Sequence, residues 1–198
     1  MKLVFLLEEL SMKELLDGIL PRILPENVEF TTIPHEGKSD LKKSIPHKLK
    51  CWKDPNVVAF VIVQDQDCND CVALKKELLG LCKDCEKTVL IRIACHELEA
   101  WYWGDLEAVS IAFGKNLRPL GKQRKYRTPD NIMNPKYELK KHLPELEQIS
   151  GARRIAPHMN IENNTSKSFG VFVKGLQDLC RKTNLHNSKN TSQNHNAC

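Results

Sequence analysis

No apolar stretch in this chain is long enough to cross a bilayer: the longest unbroken one, Val57 to Val63, has seven residues, against the roughly 18 that a spanning helix needs. The Met-Lys start leads directly into a strand-like segment rather than into the apolar core of a signal peptide, so a cytoplasmic protein without membrane association is expected. No internal repeat is found, which excludes solenoids and propellers. A phosphate-cradling nucleotide loop is missing as well. Its only candidate, Gly37-Lys38-Ser39, lacks the earlier glycine that such a loop needs. Any energy taken from a nucleotide would then come from another chain. The eight cysteines sit in a mixed, charged sequence of 198 residues, unlike the framework of a small secreted protein, and reduced thiols are expected.

Acidic clusters stand where strands should end. Glu8 and Glu9 follow the apolar run from Leu3 to Leu7, Asp65 and Asp67 follow the run from Val57 to Val63, and Glu97 and Glu99 follow the stretch from Val89 to Ala94. Short aliphatic runs separated by helix-forming stretches read as parallel strands with crossovers, and such sheets carry their chemistry at the carboxyl ends of the strands. Carboxylates gathered there repel by roughly 4 kcal/mol per pair at 4 Å and an effective dielectric near 20. They therefore imply a cation or a shared proton. Mg²⁺ answers this best, being held by one or two carboxylates together with substrate phosphates.

Strands are predicted at residues 2–7, 28–33, 57–63 and 88–94. Helices are predicted at residues 11–24, 38–50, 69–81 and 98–113, the first with Ser11 as N-cap and with Pro21 and Pro25 ending it. The alternation predicts an α/β fold with a parallel sheet of about four strands flanked by helices. The expected core domain is residues 1–113. A basic helical extension packed on it covers residues 114–183, with helical pieces at 136–143, 153–159 and 168–182, and residues 184–198 form a polar tail expected to be disordered.

Net charge is +5, but its distribution says more. Between Phe113 and Arg154 eleven Lys and Arg, among them Arg124, Lys125, Arg127, Lys136, Arg153 and Arg154, stand against four acids. A second basic stretch holds Lys38, Lys42, Lys43, Lys48, Lys50 and Lys53. Basic connections beside acidic strand ends suit a polyanion running past a metal-loaded centre; a solvated surface is the plain alternative for any single lysine.

One early Glu followed by Asp65-x-Asp67 resembles the Toprim fold of topoisomerases, primases and OLD-family nucleases. The segments Leu7-Glu8-Glu9-Leu10-Ser11, His35-Glu36-Gly37-Lys38-Ser39-Asp40-Leu41, Asp65-Gln66-Asp67-Cys68-Asn69-Asp70-Cys71 and Glu97-Leu98-Glu99-Ala100-Trp101-Tyr102 look like a small Toprim-like group of proteins. Arg153-Arg154-Ile155-Ala156 and Ser166-Lys167-Ser168-Phe169 extend the likeness. The resemblance implies a Toprim-like sheet on which Glu8, Asp65 and Asp67 bind Mg²⁺ or Mn²⁺ and serve phosphodiester cleavage of DNA or RNA. It also implies an effector subunit of a bacterial abortive-infection or anti-phage system, paired with an ABC/SMC-type ATPase. Glu9 departs from the pattern, since many Toprim motifs have glycine there. Glu97 would act beside the three ligands, with Glu99 as a further ligand or the first-turn acid of a helix. Lys38, Arg124, Lys125, Arg127, Arg153, Arg154 and Lys167 would hold the substrate, Lys167 through its charge and nearby helix amides, with capping by Ser166 as the alternative.

Cys68-x-x-Cys71 and Cys82-x-x-Cys85 outline a four-thiolate zinc site, but a helix over 69–81 would hold Cys71 and Cys82 about 16 Å apart, too far for one ion. Trp101 is expected in the core. Two rival functions remain: a non-catalytic interaction subunit on the same scaffold, and a receiver-like phosphoacceptor domain, which also has acids after its first and third strands. The second Asp of the pair and the long basic extension speak against the latter.

Overall fold

The computed structural model describes residues 1–193, with the side chains of residues 1–183. In chain order the elements are β1 (Lys2–Leu7), α1 (Leu10–Ile23), β2 (Glu29–Pro34), α2 (Lys38–Cys51), β3 (Val57–Asp65), α3 (Cys71–Leu81), β4 (Thr88–Ala94), α4 (Glu99–Trp103), α5 (Leu106–Phe113), α6 (Pro135–His142), α7 (Gln148–Ile155) and α8 (Lys167–Gln193). The fold is α/β: a four-stranded, wholly parallel sheet in the order β2-β1-β3-β4, flanked by helices and consistent with a Toprim-like arrangement. No helix among the described residues is long and apolar enough to cross a membrane.

The strands are buried on both faces, which is why they read as continuous apolar runs. Leu3, Phe5, Leu7, Val61 and Val63 point to the larger core with α1, α4, α5, α7 and α8. Val4, Leu6, Phe60 and Ile62 point to the smaller one with α2 and α3. Leu139, Leu143, Phe169 and Phe172 belong to the larger core, so the chain after α5 packs on the sheet.

Several boundaries differ from those predicted. α1 is capped by the backbone of Glu9 rather than by Ser11, whose hydroxyl bonds the Glu9 carboxylate instead. Pro21 lies inside α1; the lost amide bond is outweighed by the burial of Leu16, Leu20 and Ile23 along one side. The helix expected over 98–113 is two helices, because the Asp105 carboxylate accepts the Ala108 amide at 3.0 Å and starts α5. Gly104 at that break admits the strand of chain beside it: a Cβ there would lie 1.9 Å from Asn164 Oδ1. α7 begins five residues before the predicted 153, and the remainder of that predicted piece is a 3₁₀ turn at Ala156–His158. α8 continues to Gln193, into the stretch expected to be disordered; residues 194–198 of that stretch lie outside the described residues.

α1 and the 3₁₀ turn after α7 pack closely across Gly18, where a Cβ would come within 2.5 Å of the Ala156 Cβ. Neither atom can rotate away. Gly18→Ala is expected to destabilise the protein by about 1–3 kcal/mol through overpacking, read as a lower urea midpoint at unchanged slope.

Candidate functional site

β1 and β3 are neighbours, and the chain leaves them toward opposite edges of the sheet, β1 to β2 and β3 to β4. Their carboxyl ends therefore flank the topological switch point, where an open α/β sheet has its crevice. Glu8 follows β1 and Asp65 closes β3, and the Asp65 amide donates to Glu8 Oε2 at 3.1 Å. The sequence-predicted first and second acids are thus brought together directly. Beside them Gly37, with φ +94°, donates its amide to the Glu8 carbonyl at 2.9 Å, fastening the start of α2 to the same edge.

The loops after β3 and β4 are knitted together. The Gln66 amide donates to the Ala94 carbonyl at 2.9 Å, the Asp67 amide to the His96 carbonyl at 2.7 Å, and the His96 amide to Gln66 Oε1 at 3.2 Å. Asp67 and His96 both adopt left-handed backbone, φ 51° and 57°, a conformation that non-glycine residues rarely adopt and that concentrates at functional sites.

The inner side of the cluster is dry. Asp65 is 8% exposed, Glu99 5% and Tyr102 2%. Burial pushes the Asp65 carboxyl well above the usual range, reinforced by Glu99, Glu8 and Glu9, against a hydrogen bond from the Leu98 amide. Burial likewise raises Glu99 to about 7, with Glu97 and Glu9 adding to it and Lys136 opposing. Glu8 also stands at about 7, raised by burial first and then by Asp67 and Glu9, and held back by the Asp65 amide and Lys38. The Tyr102 hydroxyl is raised by burial and by the same acids. Asp65 Oδ1, the Tyr102 hydroxyl and both polar atoms of the Gln64 amide are buried without a hydrogen-bond partner, where such atoms are nearly always bonded.

The other predicted residues divide. Asp67 sits on the outer side, its Oδ2 accepting from Lys38 Nζ at 2.9 Å. Glu97 turns to α6, accepting the Lys136 amide at 3.0 Å, so it serves as a helix cap. Besides Lys38, three more of the predicted substrate-binding cations have internal partners: Arg153 pairs with Glu14 at 2.8 Å, Arg154 donates to the Ala112 carbonyl at 2.7 Å and lies over the Phe113 ring, and Lys125, with Lys141, holds Glu138 down to about 2. Arg124, Arg127 and Lys167 are exposed. The amides that start α8 are already taken: Ser168 donates to Asp130 Oδ2 at 3.0 Å and Phe169 to Ser166 Oγ at 3.2 Å. Capping by Ser166 is therefore what the structure has there, and Lys167 contributes only its charge.

Trp101 is fully buried against Phe169 and Phe172, as expected. α3 puts Cys68 and Cys71 at one end and Cys82 and Cys85 at the other, the separation the sequence predicted. Sequence reasoning passed over Tyr102, Gln64, Glu9 and Lys136 as site residues. A signal existed for one of them: Tyr102 stands three residues after Glu99, on the same face of any helix.

The donor set suits a hard divalent cation in chemistry, since it is all oxygen and includes one carboxylate oxygen with no partner. Among the described residues no three His, Cys, Asp or Glu side chains are grouped closely enough to hold a metal ion as they stand. Binding therefore requires Glu8 or Glu99 to turn toward Asp65.

A family model described as a domain of unknown function (DUF4276) matches residues 7–177. No curated protein and no solved structure matches the chain.

Proposed function

We propose that this chain, which belongs to the DUF4276 family of domains of unknown function, is a Mg²⁺- or Mn²⁺-dependent nuclease of Toprim type that cleaves phosphodiesters of DNA or RNA. The observation that carries the reading is the meeting of Glu8 and Asp65 at the switch point of the sheet, with Glu99 close enough to raise the Asp65 carboxyl and an Asp65 oxygen left unpartnered. A bound divalent ion would supply Lewis-acid stabilisation of phosphoryl oxygens and a more acidic water. The side chains have separate tasks. Asp65 and Glu8 hold the cation. Glu8, whose carboxyl stands at about 7 without metal, would give up its proton as the cation binds. Lys38 on the outer rim and the exposed Arg124 and Arg127 attract neighbouring phosphates.

The proposal extends to context. The chain acts in the cytoplasm as effector subunit of an anti-phage or abortive-infection assembly, with an ABC/SMC-type ATPase as partner. Its support is the sequence resemblance and the lack of a nucleotide loop, Gly37 serving as the N-cap of α2.

Purified protein incubated with Mg²⁺ or Mn²⁺ and mixed RNA and DNA, alone and after coexpression with an ATPase encoded beside it, is expected to cleave in at least one combination, and Glu8→Gln in none. Absence of cleavage in every combination, with a complex still formed, would favour the non-catalytic interaction subunit. Arg124→Glu with Arg127→Glu is expected to weaken nucleic-acid binding and reduce the slope of log affinity against log salt by about two. An unchanged slope would return both arginines to the solvated surface.

A further inference from the structure

We infer that Glu99, rather than Glu97, supplies the third carboxylate of the cation site, and that the Tyr102 hydroxyl faces the same space. The inference rests on the cation site of the proposed function and deepens it.

Glu97 is already engaged, its carboxylate accepting the Lys136 amide at the start of α6. Asp67 is turned outward to Lys38. Glu99 has neither diversion. It opens α4 three residues after His96, whose carbonyl accepts the Asp67 amide at 2.7 Å, so the approach to α4 is fastened to the loop that leaves β3. Glu99, 5% exposed, and Asp65, 8% exposed, are both buried at that junction, and the charge of Glu99 acts on the Asp65 carboxyl.

Tyr102 provides an independent sign. α4 carries three large aromatic residues, all buried. The Trp101 indole donates to Ser168 Oγ and the Trp103 indole to the Pro135 carbonyl, each at 2.9 Å. The Tyr102 hydroxyl alone of the three polar groups has no partner, and its surroundings are Glu99, Glu9 and Asp65. A buried hydroxyl left unbonded costs about 1–3 kcal/mol. A fold that satisfies both indoles on one helix leaves the Tyr102 hydroxyl and an Asp65 oxygen without a partner, two oxygens free to meet a ligand that binds oxygen. Acids on every side make that ligand a cation, and oxygen donors make it a hard one such as Mg²⁺ or Mn²⁺.

The test is Mn²⁺ binding, by calorimetry and by loss of the free-ion electron paramagnetic resonance signal, with circular dichroism to confirm folding. Glu99→Gln is expected to weaken Mn²⁺ binding roughly tenfold or more, the scale on which even outer residues of metal sites act. Tyr102→Phe should weaken it less, and Glu97→Gln, which keeps the cap to α6, should leave it unchanged. Wild-type affinity in Glu99→Gln, or a loss in Glu97→Gln instead, overturns the inference. Should Glu99→Gln bind normally while Glu8→Gln does not, the inference fails and the nuclease proposal stands. Failure of the wild type to bind Mn²⁺ removes both.

Discussion

Asp65→Asn is expected to lower metal-dependent cleavage by roughly a thousandfold, about 4 kcal/mol of transition-state stabilisation, while the metal-free protein becomes harder to unfold at neutral pH. The two effects have one cause. Asp65 is 8% exposed and surrounded by Glu99, Glu8 and Glu9, so its negative charge is costly until a cation offsets it; a neutral amide of the same shape removes that cost together with the ligand. Glu8→Gln should lose cleavage to a similar degree but gain less stability, because Glu8 is only partly buried and water already screens it. The measurements are initial cleavage rates at saturating Mn²⁺ and chemical unfolding in chelator, on the same preparations. Undiminished cleavage by Asp65→Asn would remove it from the site. Lost cleavage with lost stability would mark Asp65 as a structural residue, since a site acid traded for an amide should not weaken the empty fold.

The sheet was legible because its strands are buried on both faces and flanked by turn-forming residues: residues 2–7 and 88–94 are the observed strands to the residue. The strand-end positions of Glu8 and Asp65 followed from the order of elements, but that β1 and β3 are neighbours and put the two acids at the switch point did not. What the sequence hid depended on long-range contacts. One helix was expected where there are two: the Asp105 cap, a bond from the amide three residues on, was a local signal passed over, but nothing local shows that residues 164–166 press on Gly104. The same applies to charge. Arg153 and Arg154 look like a phosphate clamp in one dimension, yet Glu14 and the Ala112 carbonyl lie 139 and 42 positions away from their partners. Glu97 and Glu99 are two residues apart and equivalent on paper, and only the position of α6 separates the cap from the buried acid.

That separation gives the second large effect, in the pH dependence of stability. The Glu99 carboxyl is raised from its ordinary 4.5 to about 7, chiefly by burial. A group whose folded value is raised contributes its full stability below the unfolded value and loses it as pH climbs through the folded one. For Glu99 the loss runs from about pH 4.5 to somewhat above 7 and amounts to something on the order of 3 kcal/mol. Asp65 acts in the same direction. Carboxylates with lowered values, such as Glu138 at about 2, lose their contribution only at acid pH, outside this window. In chelator, unfolding free energy of the wild type is therefore expected to fall between pH 5 and pH 8, where many proteins are at or near their maximum. Glu99→Gln, an isostere of the protonated acid, should match the wild type near pH 5 and exceed it at pH 8. Subtracting the two profiles cancels histidines, whose titration both proteins share. Parallel profiles would mean that Glu99 ionises normally in the fold, and the crowded, dry cluster on which the cation site depends would have to be given up.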